Sequence, residues 1–234
     1  MREFSGFPGV LYSTTEWVMR FSVINILWMI INVPIIIIVL SIYANNFSIA
    51  FVIYYVPLLI LFPLLFFPST TGLFAMARDW VLKIDHPSLT KAYFSHIRSN
   101  YKKSVVAGLV LTLLWLIWII DFYYFTNEHE LFRLVFSIMG FALFVFTINF
   151  FSLNVHFQMN IRELLKNTFL VMIGSPFLSF VILISNFLLF YVSTTKLVFL
   201  IPLFIGSLSA YLSFAAFYRF SLKMQEKAII NKST

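Results

Sequence analysis

A chain of 234 residues with 61% hydrophobic and only 11% charged side chains lacks the polar material of a soluble domain, where about 25% of residues are charged. It has no cysteine, which excludes a disulfide framework and any thiolate metal site. The solvent implied for most side chains is lipid. The sequence reads as an all-α polytopic membrane protein, one integral domain over residues 1–234.

The start of the chain shows no signal-peptide pattern: Arg2 is followed by a mixed stretch, and no small-residue cleavage site follows the first apolar run. Residues 21–77 contain no Asp, Glu, Lys, Arg or His. A spanning helix needs about 20 apolar residues, so this run holds two, roughly 21–43 and 48–67, divided at Ala44-Asn45-Asn46. Four more follow at roughly 104–125, 133–153, 168–192 and 197–218, the last pair separated by Ser193-Thr194-Thr195-Lys196. In hydrocarbon each backbone amide must bond within its own segment, so all of these, about six in number, are expected to be helical.

Residues 68–103 form the largest polar connection. Asp85, Pro87 and Ser88 make a helix start. Beyond it Leu89, Tyr93, Ile97 and Tyr101 recur every fourth residue, with Lys91, Arg98 and Lys102 on other faces. This pattern predicts an amphipathic cytoplasmic helix between the second and third spans, lying on the inner membrane surface. It is either an interfacial linker or a docking surface for a cytoplasmic partner.

Charge sets the orientation. With the N-terminus inside, one side of the membrane holds Arg2, Arg20, Arg78, Lys83, Lys91, Arg98, Lys102, Lys103, Arg162, Lys166, Arg219, Lys223, Lys227 and Lys232. The other side holds only Arg133 and Lys196, alongside Asp121, Glu128 and Glu130. That asymmetry predicts both termini in the cytoplasm. The net charge of +7 is therefore a signal of topology, and nucleic-acid binding is not expected.

No phosphate-cradling G-x-x-x-x-G-K-[ST] motif occurs, and no serine lies in a G-x-S-x-G elbow. His86, His96, His129 and His156 are scattered over three connections, and no pair has zinc-ligand spacing on one helix. His86 and His96, ten residues apart, read as solvated bystanders. The spans carry no central ionisable residue of the kind that marks a coupling-ion or proton path. No catalytic residue, cofactor or metal is expected, and an enzyme pairing His156 with Asp121 would need residues from opposite sides of the bilayer.

Several amides lie at membrane depth. Asn25 and Asn32 share one face of the first helix, and Asn149, Asn154 and Asn186 sit in or near later spans. They are read as packing contacts between helices, with a polar conduit as the alternative. Pro34, Pro57, Pro63, Pro176 and Pro202 fall within spans and each removes a backbone hydrogen bond. Trp17 and Trp80 fit an interfacial aromatic belt. Trp115 and Trp118, three apart, either stack on a sugar ring or reflect the high aromatic content.

The order of these features resembles the YesL-like family of bacterial six-helix membrane proteins, a domain of unknown function. The matching pieces are Asn25-Ile26-Leu27-Trp28 with Pro34, Thr71-Gly72-Leu73-Phe74-Ala75, Ser99-Asn100-Tyr101-Lys102-Lys103-Ser104, Asp121, Arg162-Glu163-Leu164-Leu165-Lys166-Asn167, and Ser209-Ala210-Tyr211. The proline-rich stretch 62–68 and the abundance of phenylalanine depart from the family pattern. The resemblance implies a setting in the plasma membrane of Gram-positive bacteria, because genes of this family often sit beside components of carbohydrate ABC importers.

With the setting that the resemblance implies, the expected function is a non-enzymatic accessory subunit of an oligosaccharide ABC importer, stabilising or modulating the permease assembly. Its expected partners are membrane lipid, the permease subunits and the ATPase. Two surfaces are the expected contacts: Lys91, Arg98, Lys102 and Lys103 on one, and Arg162, Glu163 and Lys166 on the other. The alternative is a stand-alone facilitator or channel for small neutral solutes, with Asn25, Asn32 and Asn149 lining a wet path.

Overall fold

The computed structural model describes residues 7–44, 51–125 and 130–233. Asn45, Asn46, Glu128, His129 and Arg2, used above for spans and orientation, lie outside the described residues. The elements are helices α1 (Phe7–Ala44), α2 (Phe51–Leu61), a π-helical turn (Phe62–Phe66), α3 (Phe67–Val81), α4 (Leu89–Phe125), α5 (Glu130–His156), α6 (Ile161–Gly174), α7 (Pro176–Thr195), α8 (Leu200–Leu203) and α9 (Ile205–Ser233). No strand occurs among the described residues. Among the described residues, five helices are long and apolar enough to cross a membrane: Thr14–Ala44, Tyr54–Val81, Leu89–Phe125, Glu130–His156 and Pro176–Thr195. Their outer faces carry large exposed apolar side chains, among them Ile37, Leu113, Ile117, Phe177 and Phe187, a surface of the kind that meets a membrane or a protein partner.

α3 is the axis of the bundle. It packs against α4, α9, α5 and α1, and every residue from Phe67 to Ala77 is buried. Its first turns read Ser69-Thr70-Thr71-Gly72, small residues that let helix backbones approach closely in lipid. Each of these residues meets a neighbour. Ser69 Oγ accepts from Asn32 Nδ2 at 3.0 Å and Thr70 Oγ1 from Trp28 Nε1 at 3.0 Å. Ser104 Oγ donates to Thr71 Oγ1 at 2.9 Å. A β-carbon on Gly72 would lie 2.6 Å from Ile97 Cγ1.

The prolines before α3 explain the π-helical turn. Pro63 has no N–H to place in an α-helical ladder, and the Phe67 N–H reaches back five residues to the Phe62 carbonyl. Pro68 likewise cannot bond the Leu64 carbonyl, which instead receives the Tyr101 hydroxyl at 3.4 Å.

Three sequence expectations change here. The stretch 89–103 is no separate surface helix, because α4 runs unbroken from Leu89 to Phe125. At 1.5 Å per residue its 37 residues reach about 55 Å, against about 30 Å of hydrocarbon. The apolar stripe is in phase with the buried face of the span: Tyr93 and Ile97 continue into Ser104, Ala107, Gly108 and Leu111, and Tyr93 donates to the Ser69 carbonyl at 3.1 Å. The stripe therefore packs on α3 and not on lipid headgroups. Secondly, the stretch 168–192 is divided. Ser175, preceding Pro176, leaves the helical region (φ −136°, ψ 75°), so α6 and α7 are distinct.

The last predicted span, 197–218, is also broken. α8 ends at Leu203, one residue past Pro202, and the chain turns at Phe204 (φ −141°) before α9 begins. The amide of Asn25 on α1 closes this break. Its Nδ2 donates to the carbonyls of Pro202 at 2.7 Å and Ile201 at 3.3 Å. Its Oδ1 accepts from the N–H groups of Gly206 at 2.9 Å and Ser207 at 3.1 Å. One side chain thus satisfies four backbone groups that a helix end leaves unpaired. Asn186 on α7 bonds α9 through Ser213 at 3.0 Å and accepts from Ser209. Asn149 and Asn154 on α5 are buried, and their amide atoms have no hydrogen-bond partner among the described residues.

The tryptophans are built into the protein. Trp80 is buried in an aromatic cluster with Trp17, Phe21 and Tyr211 that joins α3, α1 and α9. Trp115 donates to Thr147 at 3.1 Å and Trp118 to the Phe136 carbonyl at 2.8 Å, both on α5. Their indole N–H groups are thereby engaged within the bundle.

Candidate functional site

The end of the bundle that carries residues 83–103, here the basic end, gathers the ionisable residues of several elements. α3 stops there in a C-terminal reversal. The Ile84 N–H bonds the Asp79 carbonyl at 2.8 Å and the Lys83 N–H that of Trp80 at 3.2 Å, with Lys83 at φ 58°. This is the Schellman arrangement, with lysine where glycine is usual. The reversal turns the chain back over Asp79. Ser88 then begins α4, its Oγ accepting from the Lys91 N–H at 3.4 Å.

The reversal places two imidazoles on one carboxylate. Asp79 is 1% exposed, and its Oδ2 lies 2.7 Å from His86 Nε2 in the connection and 2.7 Å from His96 Nε2 on α4. Its Oδ1 accepts from the fork of Arg78, Nε at 3.0 Å and Nη2 at 2.7 Å. Arg78 Nη1 also donates to the Val155 carbonyl near the end of α5, where a cation is favoured by the helix dipole. A buried carboxylate without donors is costly, and here four converge. Asp79, His86 and His96 each present one atom able to bind a metal, all within 4.8 Å of one another. Beside them Arg20 on α1 holds Asp85 at 2.9 Å and also Glu16.

His86 and His96 are thus not solvated bystanders, and Asp79 was not singled out in the sequence. Their partnership is invisible as spacing because it depends on the turn at Lys83. A usable signal did exist. His96 lies three residues after Tyr93 and one before Ile97, on the inward stripe of α4, where an ionisable group needs a partner.

The second feature is an open cleft of about 530 Å³ lined by Lys103, Met159, Asn160, Ile161, Arg162 and Glu163. Lys103 comes from α4, the others from the α5–α6 turn and the start of α6. Glu163 has a structural duty as well, accepting from the Asn160 N–H at 3.4 Å as the return half of a capping box. Three of the residues expected to meet a partner, Lys103, Arg162 and Glu163, therefore share one surface. Lys91, Arg98, Lys102 and Lys166 are exposed but do not line the cleft. Cleft and carboxylate node are neighbours: His96 and Lys103 are two turns, about 10 Å, apart on α4.

Fold and site together define an all-helical membrane protein with its ionisable residues concentrated at one end. Comparison with known proteins makes the assignment narrower. The family described as "Protein of unknown function, DUF624" matches residues 21–122. The Bacillus subtilis (strain 168) protein described as "Uncharacterized protein YteU" is 25% identical over 227 residues, covering 96% of this chain and 90% of the relative. No solved structure matches the chain. The chain is thus similar to this family of unknown function over residues 21–122.

Proposed function

We propose that the protein is a non-enzymatic accessory subunit of an oligosaccharide ABC importer in the bacterial plasma membrane. It docks through its basic end on the permease subunits, with the ATPase within reach, and steadies the assembly or biases its cycle. Both termini and the basic end lie in the cytoplasm in this reading, as the distribution of lysine and arginine favours. The observation that carries the reading is the cleft: Lys103 and Arg162, distant in sequence, line one open surface suited to an acidic segment of a cytoplasmic loop. Charges placed this way set partner choice and register more than raw affinity. The choice of a carbohydrate importer rests on the gene setting that the family resemblance implies.

The test is purification of the tagged full-length protein from native membranes in mild detergent. The permease pair is expected to co-purify, and the double reversal Lys103→Glu with Arg162→Glu is expected to reduce its recovery at least about tenfold, equivalent to 1.4 kcal/mol. Absence of any permease under conditions that keep the importer intact contradicts the proposal, as does recovery unaffected by the reversal.

A second reading, a stand-alone facilitator for small neutral solutes, rests on Asn149, buried with neither amide atom paired among the described residues. Solute flux into liposomes containing only the purified protein, lost in Asn149→Leu, would favour it over the docking reading.

A further inference from the structure

We propose that Asp79, His86 and His96, whose ligating atoms converge where α3 reverses into α4, bind one divalent transition-metal ion of the zinc class. The site is separate from the docking cleft, and the two proposals stand or fall independently.

The donor set is two imidazole nitrogens and one carboxylate oxygen. Magnesium and calcium favour all-oxygen shells, whereas imidazole suits zinc, copper, nickel and iron. The carboxylate is prepared for a single bond to the ion. Arg78 holds Oδ1 through two N–H groups, leaving Oδ2 to face both rings, and such outer hydrogen bonds orient the ligands of metal sites. The rings stand at 81° with centroids 5.9 Å apart, so they approach Oδ2 as two blades and not as a stacked pair. A tetrahedral ion with bonds of about 2.0–2.1 Å separates its ligand atoms by about 3.3–3.4 Å. The two nitrogen–oxygen distances of 2.7 Å must each open by roughly 0.6 Å to meet that geometry, and the two ring nitrogens, which lie within 4.8 Å of each other, must settle at the same spacing. Each neutral ring can carry its proton on Nδ1, freeing Nε2 for the ion.

Access comes from the histidine side. His86 and His96 side chains are 25% and 19% exposed, against 1% for Asp79. An ion can enter from solvent there and keep water in its fourth position, as three-ligand zinc sites do. The three ligands come from α3, the connection and α4, so an ion joins the ends of two helices and, through Arg78 and Val155, touches the end of α5.

The competing account is a hydrogen-bonded clamp that needs no ion, and it makes opposite forecasts. Full-length protein without a polyhistidine tag is stripped with chelator in detergent, then given zinc, cobalt or magnesium chloride. We expect one zinc retained per chain after desalting, a rise of several degrees in Tm with zinc and none with magnesium, and a four-coordinate cobalt spectrum in the visible range. His86→Ala and His96→Ala, each checked for a folded elution profile, are expected to weaken zinc retention at least about 30-fold, since losing even an outer-shell partner of a ligand costs about 10–100-fold. Less than a fifth of an ion per chain in the unaltered protein overturns the proposal without reference to any variant. So does zinc retention that folded His86→Ala and His96→Ala proteins share undiminished.

Discussion

Replacing Asn25 with leucine is expected to lower the stability of the folded protein by about 2–4 kcal/mol. The lower figure follows from four hydrogen bonds of about 0.6 kcal/mol each, the average for side-chain bonds between membrane helices. The higher figure applies if part of the broken backbone stays unpaired, since each orphaned buried group costs about 1–3 kcal/mol. Leucine fills the space without serving the carbonyls of Ile201 and Pro202 or the N–H groups of Gly206 and Ser207. Asn25→Asp discriminates further. Its carboxylate still accepts from Gly206 and Ser207 but donates nothing to the two carbonyls, so it is expected to fall below the parent in stability. Unfolding of the purified protein in detergent measures both. Parental stability in Asn25→Leu would mean that the break between α8 and α9 does not depend on this amide.

The other large effect is expected at Gly72. Alanine in a helix interior is worth about 1 kcal/mol over glycine, and in open space that gain would show. At Gly72 the new β-carbon meets Ile97 Cγ1 at 2.6 Å and Tyr93 Cε2 at 3.1 Å, both on the face of α4 that packs on α3. Overfilling such a contact costs about 1–3 kcal/mol, so Gly72→Ala is expected to be destabilising overall and Gly72→Leu to prevent assembly of α4 on α3. Gly174, at the end of α6, has nothing within 4 Å of its notional β-carbon. Gly174→Ala is therefore the control, expected to match or exceed the parent in the same unfolding measurement. Equal behaviour of the two alanine variants would contradict the close α3–α4 contact.

Much of the architecture was legible as hydropathy, because a long uncharged run in lipid has no competitor to the helix. What the sequence hid were the relations between runs. The fourfold stripe at Tyr93 and Ile97 reads equally as a surface helix or as a continuation of the next span. Only its phase with Ala107, Gly108 and Leu111 decides between them. Pro202 and Asn25 were each visible as anomalies, but the break and its remedy are 177 residues apart. The carboxylate node was hidden for a similar reason. Asp79 looks like an ordinary polar residue after Arg78, and a lysine at positive φ is not a spacing rule that sequence displays. The cleft was partly legible, since both of its edges were recognised as basic without any indication that Lys103 meets Arg162.

The docking proposed for the basic end assigns it one occupant, a permease of a sugar importer. The most direct measurement places a photo-reactive amino acid at position 162, on the cleft, or at 196, beyond α7, in cells expressing the full chain. Irradiation of native membranes followed by mass spectrometry is expected to yield an adduct with a sugar-importer permease from position 162 and none from 196. Adducts to a permease from 196 alone, or none from either position while the importer is present and active, would contradict it.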